Sequence, residues 1–282
     1  MNQEPAVRKA AAPDGMRRSW LEWDGPGRPG ACQVVMLHGI LQRASPHSHL
    51  ATYLSRRHRV VMPDLRGRGE APLPSDAAAD PGALAGDVAA LIEHLGMERV
   101  VLIGRNHGGV VAYHLAAARP DLVHGVVLGD SAPEVSPERA ARRMAFIERI
   151  PREFASEDEA ITFYTDGLGV SVERARHDMP DDMEEHEGRF SWQHDLDAVA
   201  RVESAAAPRS DWDVLRRVVA PVLILRGQRS RIDDGMALRM QETLPQAEVL
   251  TIRGSGPDVF LGPGAEQTRG AIDMFLMRLS GA

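Results

Sequence analysis

The sequence predicts an α/β protein: a doubly wound, mostly parallel sheet covered by helices on both faces. Three observations predict it. Apolar runs of strand length end in loops rich in glycine or proline, helical periodicities separate them, and this alternation appears at both ends of the chain around a long stretch that lacks it.

Taken in order, Gln33–Gly39 (QVVMLHG), Arg59–Leu65 (RVVMPDL) and Arg99–Gly104 (RVVLIG) read as strands buried on both faces, because their apolar residues run without alternation. Between the last two, Asp80 caps a helix with Pro81 at its first position and Leu84, Val88, Leu91 and Leu95 at helical spacing. A further helix is expected from about Gly108 to Arg119, stopping before Pro120. Strands Gly125–Gly129, Ala220–Gly227 and Ala247–Gly254 follow, with helices near Gly235–Leu244 and Ala265–Leu279. Ligands of such a sheet bind at the carboxyl ends of its strands.

The stretch from Glu134 to Asp213 breaks the alternation, with helical patterns and no convincing strand. It holds 20 acidic residues against 10 arginines, a net −10 within a chain of net −7. The expected organisation is a flexible tail over residues 1–17, a core over 18–133 and 214–282, and a helical lid over 134–213. The run Asp181–Glu187 (DDMEEHE) reads as a solvated face.

A length of 282 residues at 43% hydrophobic content suffices for one large core. The acidic balance argues against nucleic-acid partners, which need basic surfaces to displace counterions. No run of eighteen apolar residues and no signal-like start is present, so neither a membrane association nor export is expected, and the expected location is cytoplasmic. Cys32 is the single cysteine, and Lys9 the single lysine, lying outside the expected core; a disulfide and a buried Schiff-base lysine are both excluded. His47 and His49 form an H-x-H without a third ligand at helical spacing, so no metal is expected, and no cofactor.

The segment Val100–Gly109 (VVLIGRNHGG) carries the most chemical information. A strand runs straight into a helix through Gly104, Asn106, Gly108 and Gly109. It resembles the nucleophile elbow of the α/β-hydrolase fold superfamily, of the type found in epoxide hydrolases and haloalkane dehalogenases. His38-Gly39, Pro63 through Gly69 (PDLRGRG) and Asp130-Ser131-Ala132-Pro133 resemble pieces of the same family, in family order, and the likeness runs from about residue 18 to 279. It implies an α/β-hydrolase core, an inserted lid, and an oxyanion hole made by the backbone N–H groups of His107 and Ile40.

Asn106 stands where the family places its nucleophile, and a carboxamide is neither titratable nor strongly nucleophilic. The family's acid position falls on Ser230, and its histidine position, after Gly254-Ser255-Gly256, falls on Pro257. Asp130, at a strand end where some relatives carry their acid, is the remaining acid candidate. His107, at a helix N-terminus that disfavours its imidazolium, is the candidate base or hydrogen-bonding electrophile, and Asn106 is positioned to orient a carbonyl or water. His38, Ile40, Arg105 and Trp192 are expected to contact a small-molecule substrate. The function expected from these residues is a non-covalent lyase, cyclase or isomerase reaction on a carbonyl-bearing molecule. A noncatalytic ligand-binding protein and a hydrolase activating water directly are the alternatives.

Overall fold

The computed structural model describes residues 4–11, 17–27, 31–45, 48–167 and 171–281. The chain enters through an antiparallel pair, β1 (Ala6–Ala11) and β2 (Arg17–Trp23). It continues through β3 (Gln33–Leu37), α1 (His49–Leu54), β4 (Arg59–Pro63), α2 (Pro81–His94), β5 (Val100–Arg105), α3 (His107–Ala118) and β6 (Val123–Gly129). An insertion then runs through β7 (Glu134–Val135), α4 (Pro137–Ile147), β8 (Glu153–Phe154), α5 (Glu157–Thr162), a π-helical turn (Phe163–Gly167), α6 (Val172–Asp182), β9 (Met183–His186), β10 (Arg189–Trp192), α7 (Leu196–Ala206) and β11 (Arg209–Ser210). The core resumes with α8 (Trp212–Leu215), β12 (Val222–Gly227), α9 (Asp234–Thr243), β13 (Ala247–Ile252) and α10 (Ala265–Ser280).

The main sheet has eight strands in the order β1-β2-β4-β3-β5-β6-β12-β13. All pairs from β4 to β13 are parallel, and β2 joins β4 antiparallel. The period of two sorts each strand between two cores. Val35, Leu37, Val100 and Leu102 face a cluster with α2, α3, α8 and α9, whereas Val34, Met36, Val101 and Ile103 face a second with α1 and α10. Asp80 caps α2 as its sequence position predicts, accepting from the N–H groups of Gly82 and Ala83. The unpaired Cys32 lies buried in the second cluster.

Two local expectations are corrected. Residues 1–17, read as a tail, contribute β1, an edge strand in register with β2 from Ala6 opposite Glu22 to Ala11 opposite Arg17. Its exposed, charged sequence carries no alternation because almost none of it is buried. The stretch 134–213, read as helical without strands, holds a three-stranded antiparallel sheet, β8-β10-β9, and the short pair β7–β11, which joins its start to its end. These strands span two to four residues each, too short for a period to register. An aromatic core of its own holds the insertion, built on Phe154, Tyr164 and Trp192, with Ile40 and Leu41 packed beneath it.

Candidate active site

The strand-to-helix turn at Asn106 is imposed by backbone proximity. A side chain on Gly108 would lie on the carbonyls of Leu37 and His38, and one on Gly104 would meet the backbone of Gly108 and Gly109. Asn106 adopts φ 50° with ψ −111°, a positive-φ turn outside the left-handed helical region, in which a side chain is strained. Its N–H donates to the Gly129 carbonyl at 2.9 Å, which fixes the turn against the end of β6. Its side-chain Oδ1 accepts from the His107 N–H at 2.9 Å. The donor expected to face an oxyanion is therefore held by the elbow's own carboxamide, whose rotation would release it. The Ile40 N–H makes no hydrogen bond among the described residues.

Asp130 follows Gly129 directly, at φ 49° and buried. Its Oδ1 accepts from the Ser230 hydroxyl, and Ser230 in turn accepts the Ile232 N–H at 2.8 Å. Oδ2 is buried and has no hydrogen-bond partner among the described residues. Burial pushes the Asp130 carboxyl above the usual carboxylate range, against the opposing pull of the Ser230 hydrogen bond and of Arg231 and Arg139. Ser230, the position where the family's acid was expected, thus serves as hydrogen-bond donor to an acid on the neighbouring strand.

His107 is buried, and its Nε2 has no partner among the described residues. Burial, then the nearby guanidinium groups of Arg68, Arg209 and Arg143, hold its pKa well below the ordinary value. The ring is neutral at physiological pH and a weak base. His194, carried by the insertion, is buried beside the Trp192 ring with both nitrogens unpartnered among the described residues, and burial lowers it to about 3.

Asn106, His107 and Asp130 line one cleft between the sheet and the insertion, together with Arg139, Arg143 and Arg231. The other expected contacts lie elsewhere. His38 and Arg105 line an adjoining cavity toward α1. Both ring nitrogens of His38 are engaged, Nδ1 with the Gly39 carbonyl at 2.9 Å and Nε2 with the Leu65 N–H at 3.0 Å. Burial then lowers its pKa to about 4. Arg105 pairs with Asp258 at 3.2 Å and donates to Gln42 at 2.8 Å, so it braces the loop after β3. Trp192 packs against Phe154, Phe163 and Tyr164 and donates its indole N–H to the Pro151 carbonyl at 2.8 Å, inside the insertion's core. His47 lies outside the described residues, and no group of three metal-ligating side chains occurs among those described. No helix among the described residues is long and apolar enough to cross a membrane.

Sequence reasoning missed the arginines of the cleft and the pairing of Ser230 with Asp130. The cleft arginines come from α4, β11 and the loop after β12, and only the tertiary fold gathers them. The spacing of 100 residues between Asp130 and Ser230 likewise gives no local signal.

A family model described as alpha/beta hydrolase fold matches residues 33–262. The chain is 27% identical over 241 residues to the sn-1-specific diacylglycerol lipase ABHD11 of Mus musculus, covering 79% of this chain and 74% of that protein. It is 31% identical over 178 residues to lipase LipV of Mycobacterium tuberculosis, covering 61% and 66%. The crystal structure of E-2-(acetamidomethylene)succinate hydrolase superposes with a TM-score of 0.86 at 22% identity, covering 96% of this chain and 99% of that one. The relatives are named hydrolases, which overturns the expected lyase, cyclase or isomerase reaction and gives no support to a noncatalytic protein.

Proposed function

The chain belongs to the α/β hydrolase fold family, and from that premise we propose that it is a hydrolase of small carbonyl-bearing molecules in which Asp130 activates water directly. One observation carries the reading. The Asp130 carboxylate is anchored through one oxygen by Ser230, and its other oxygen has no partner among the described residues, in the cleft that Asn106 also lines. A raised pKa makes it a better base than an unperturbed aspartate, while burial and three guanidinium groups oppose protonation of His107.

One water and the protein's own groups suffice for the reaction. Asp130 Oδ2 takes a proton from a water, the hydroxide oxygen adds to the substrate carbonyl carbon, and the oxygen of that carbonyl becomes the oxyanion. The Asn106 carboxamide turns from the His107 N–H to the substrate, so that the N–H groups of His107 and Ile40 receive the oxyanion. Collapse expels the leaving group, which recovers the proton from Asp130. No acyl intermediate forms on Asn106.

The test is turnover of a panel of small esters, lactones and amides in ¹⁸O-water. Solvent label appears in the acid product in a single turnover, with no pre-steady-state burst and no label in the protein. A burst with an acylated protein side chain overturns the direct-water route.

A further inference from the structure

Although the chain is acidic and its insertion more so, the cleft beside Asn106 is lined by four arginines, Arg139, Arg143, Arg209 and Arg231, against two carboxylates, Asp130 and Glu134. We propose that this cleft recognises its substrate through an oxyanion group, a carboxylate or a phosphate, held by Arg139 and Arg231. The inference rests on the cleft being the hydrolytic site and adds the substrate class.

The four arginines are not equivalent. Arg143 is committed to the buried Glu203, at 2.7 Å. Arg209 is committed to Asp211 at 3.0 Å and to the carbonyls of Ala206 and Ala132. Glu134 is likewise engaged, accepting from the Trp212 indole at 2.7 Å and from Arg239 at 3.3 Å. The Arg139 and Arg231 side chains make neither hydrogen bond nor ion pair among the described residues. Arg139 is half-buried and Arg231 exposed on the same cleft; burial and the like charge of Arg231 disfavour the Arg139 cation, while the Asp130 carboxyl, on which both guanidinium groups act, favours it. Guanidinium groups offer paired donors in one plane, which match carboxylate and phosphate oxygens. The same positive potential reaches the His107 ring, whose protonation Arg209 and Arg143 oppose.

The two groups come from different parts of the fold. Arg139 sits in the first turn of α4, in the insertion, and Arg231 on the loop after β12, in the core, so an anion bound by both ties the insertion to the sheet. A substrate anchored there presents its carbonyl to Asn106 and Asp130 in the same cleft.

The experiment is calorimetric titration of the full chain with succinate, with inorganic phosphate and with uncharged succinamide. It is repeated on Arg139→Gln, Arg231→Gln and the double variant, each checked for an unchanged melting temperature. Succinate or phosphate binds, each single replacement weakens it about tenfold, and added salt weakens it further. Succinamide does not bind. Preference for succinate or for phosphate identifies the group recognised. Absence of binding by both anions, or equal affinity in the double variant, overturns the inference. Neither outcome depends on turnover: hydrolysis of uncharged esters without anion binding leaves the hydrolase reading standing alone, and anion binding without turnover on any panel substrate does the reverse.

Discussion

The side-chain oxygen of Asn106 accepts the backbone N–H of His107 at 2.9 Å, so the elbow residue caps its own helix. Removing that acceptor while keeping a positive φ of 50° is costly for alanine. Asn106→Ala is expected to lose about 1–2 kcal/mol, and Asn106→Gly a smaller amount, since glycine tolerates the conformation. Urea unfolding of the two variants checks this; equal stability of Asn106→Ala and the parent would show that the cap contributes nothing.

Asp130→Asn separates activity from stability. The folded carboxyl has a raised pKa, so the native state holds its proton more tightly than the unfolded chain. Stability therefore falls as pH rises from the ordinary carboxylate value through the raised one, and the cost persists at neutral pH. The amide keeps an acceptor for Ser230 without charge. Asp130→Asn is expected to be at least as stable as the parent at pH 7, with the difference closing in acid, while hydrolysis falls about a hundredfold or more. In the parent, the rate rises with pH through an inflection above the usual carboxylate range. A pH–rate profile and parallel denaturation curves measure both.

Among the described residues four buried histidines, His38, His58, His107 and His194, have their pKa lowered by burial and set the acid limit of the fold. His38 is lowered to about 4, His194 to about 3 and His107 well below the ordinary 6.5. A folded pKa below the unfolded one leaves stability complete above pH 6.5 and removes it as pH falls through the window below. Each such ring costs about 1.4 kcal/mol per pH unit within its own window. His194→Leu, which replaces two nitrogens without partners among the described residues by apolar volume, is expected to match or exceed the parent at pH 7 and to lose less stability by pH 5. Denaturant midpoints across this range decide it; a steeper loss in the variant would contradict the account.

Two glycines offer opposite outcomes. Gly108→Ala drives a Cβ onto the Leu37 backbone, which cannot retreat without moving β3, and is expected to cost about 3 kcal/mol or more. Gly86→Ala, in the exposed middle of α2 with nothing within 4 Å, is expected to gain about 0.5–1 kcal/mol. Thermal denaturation of the pair, with the parent as reference, reads both signs at once.

The six parallel strands are legible because each carries its apolar residues as a run, five of them largely buried and β13 at the edge only partly; observed and expected bounds differ by no more than two residues. The cap at Asp80 and the stop before Pro120 were legible because a side chain and a ring dictate them locally. What the sequence hid was tertiary. Nothing near Trp192 says that its indole N–H goes to Pro151, and nothing near Arg105 names Asp258 as its partner. The expected lyase, cyclase or isomerase reaction gives way because the relatives are named hydrolases, and the Ser230 hydrogen bond to Asp130 spans 100 residues that no local pattern connects.

The antiparallel strand β1 forms one of the two edges of the main sheet. Its outer rim is the open edge where a foreign strand would add, and Arg8 and Lys9 stand along it, with Lys9 tied to Glu70 at 2.5 Å. A strand approaching that rim must place its backbone against two cations and strip their hydration, so edge-to-edge aggregation is opposed there. Because Lys9 is the only lysine, an amine-reactive label that is found by peptide mapping on its side chain, apart from the α-amine, reports on that rim.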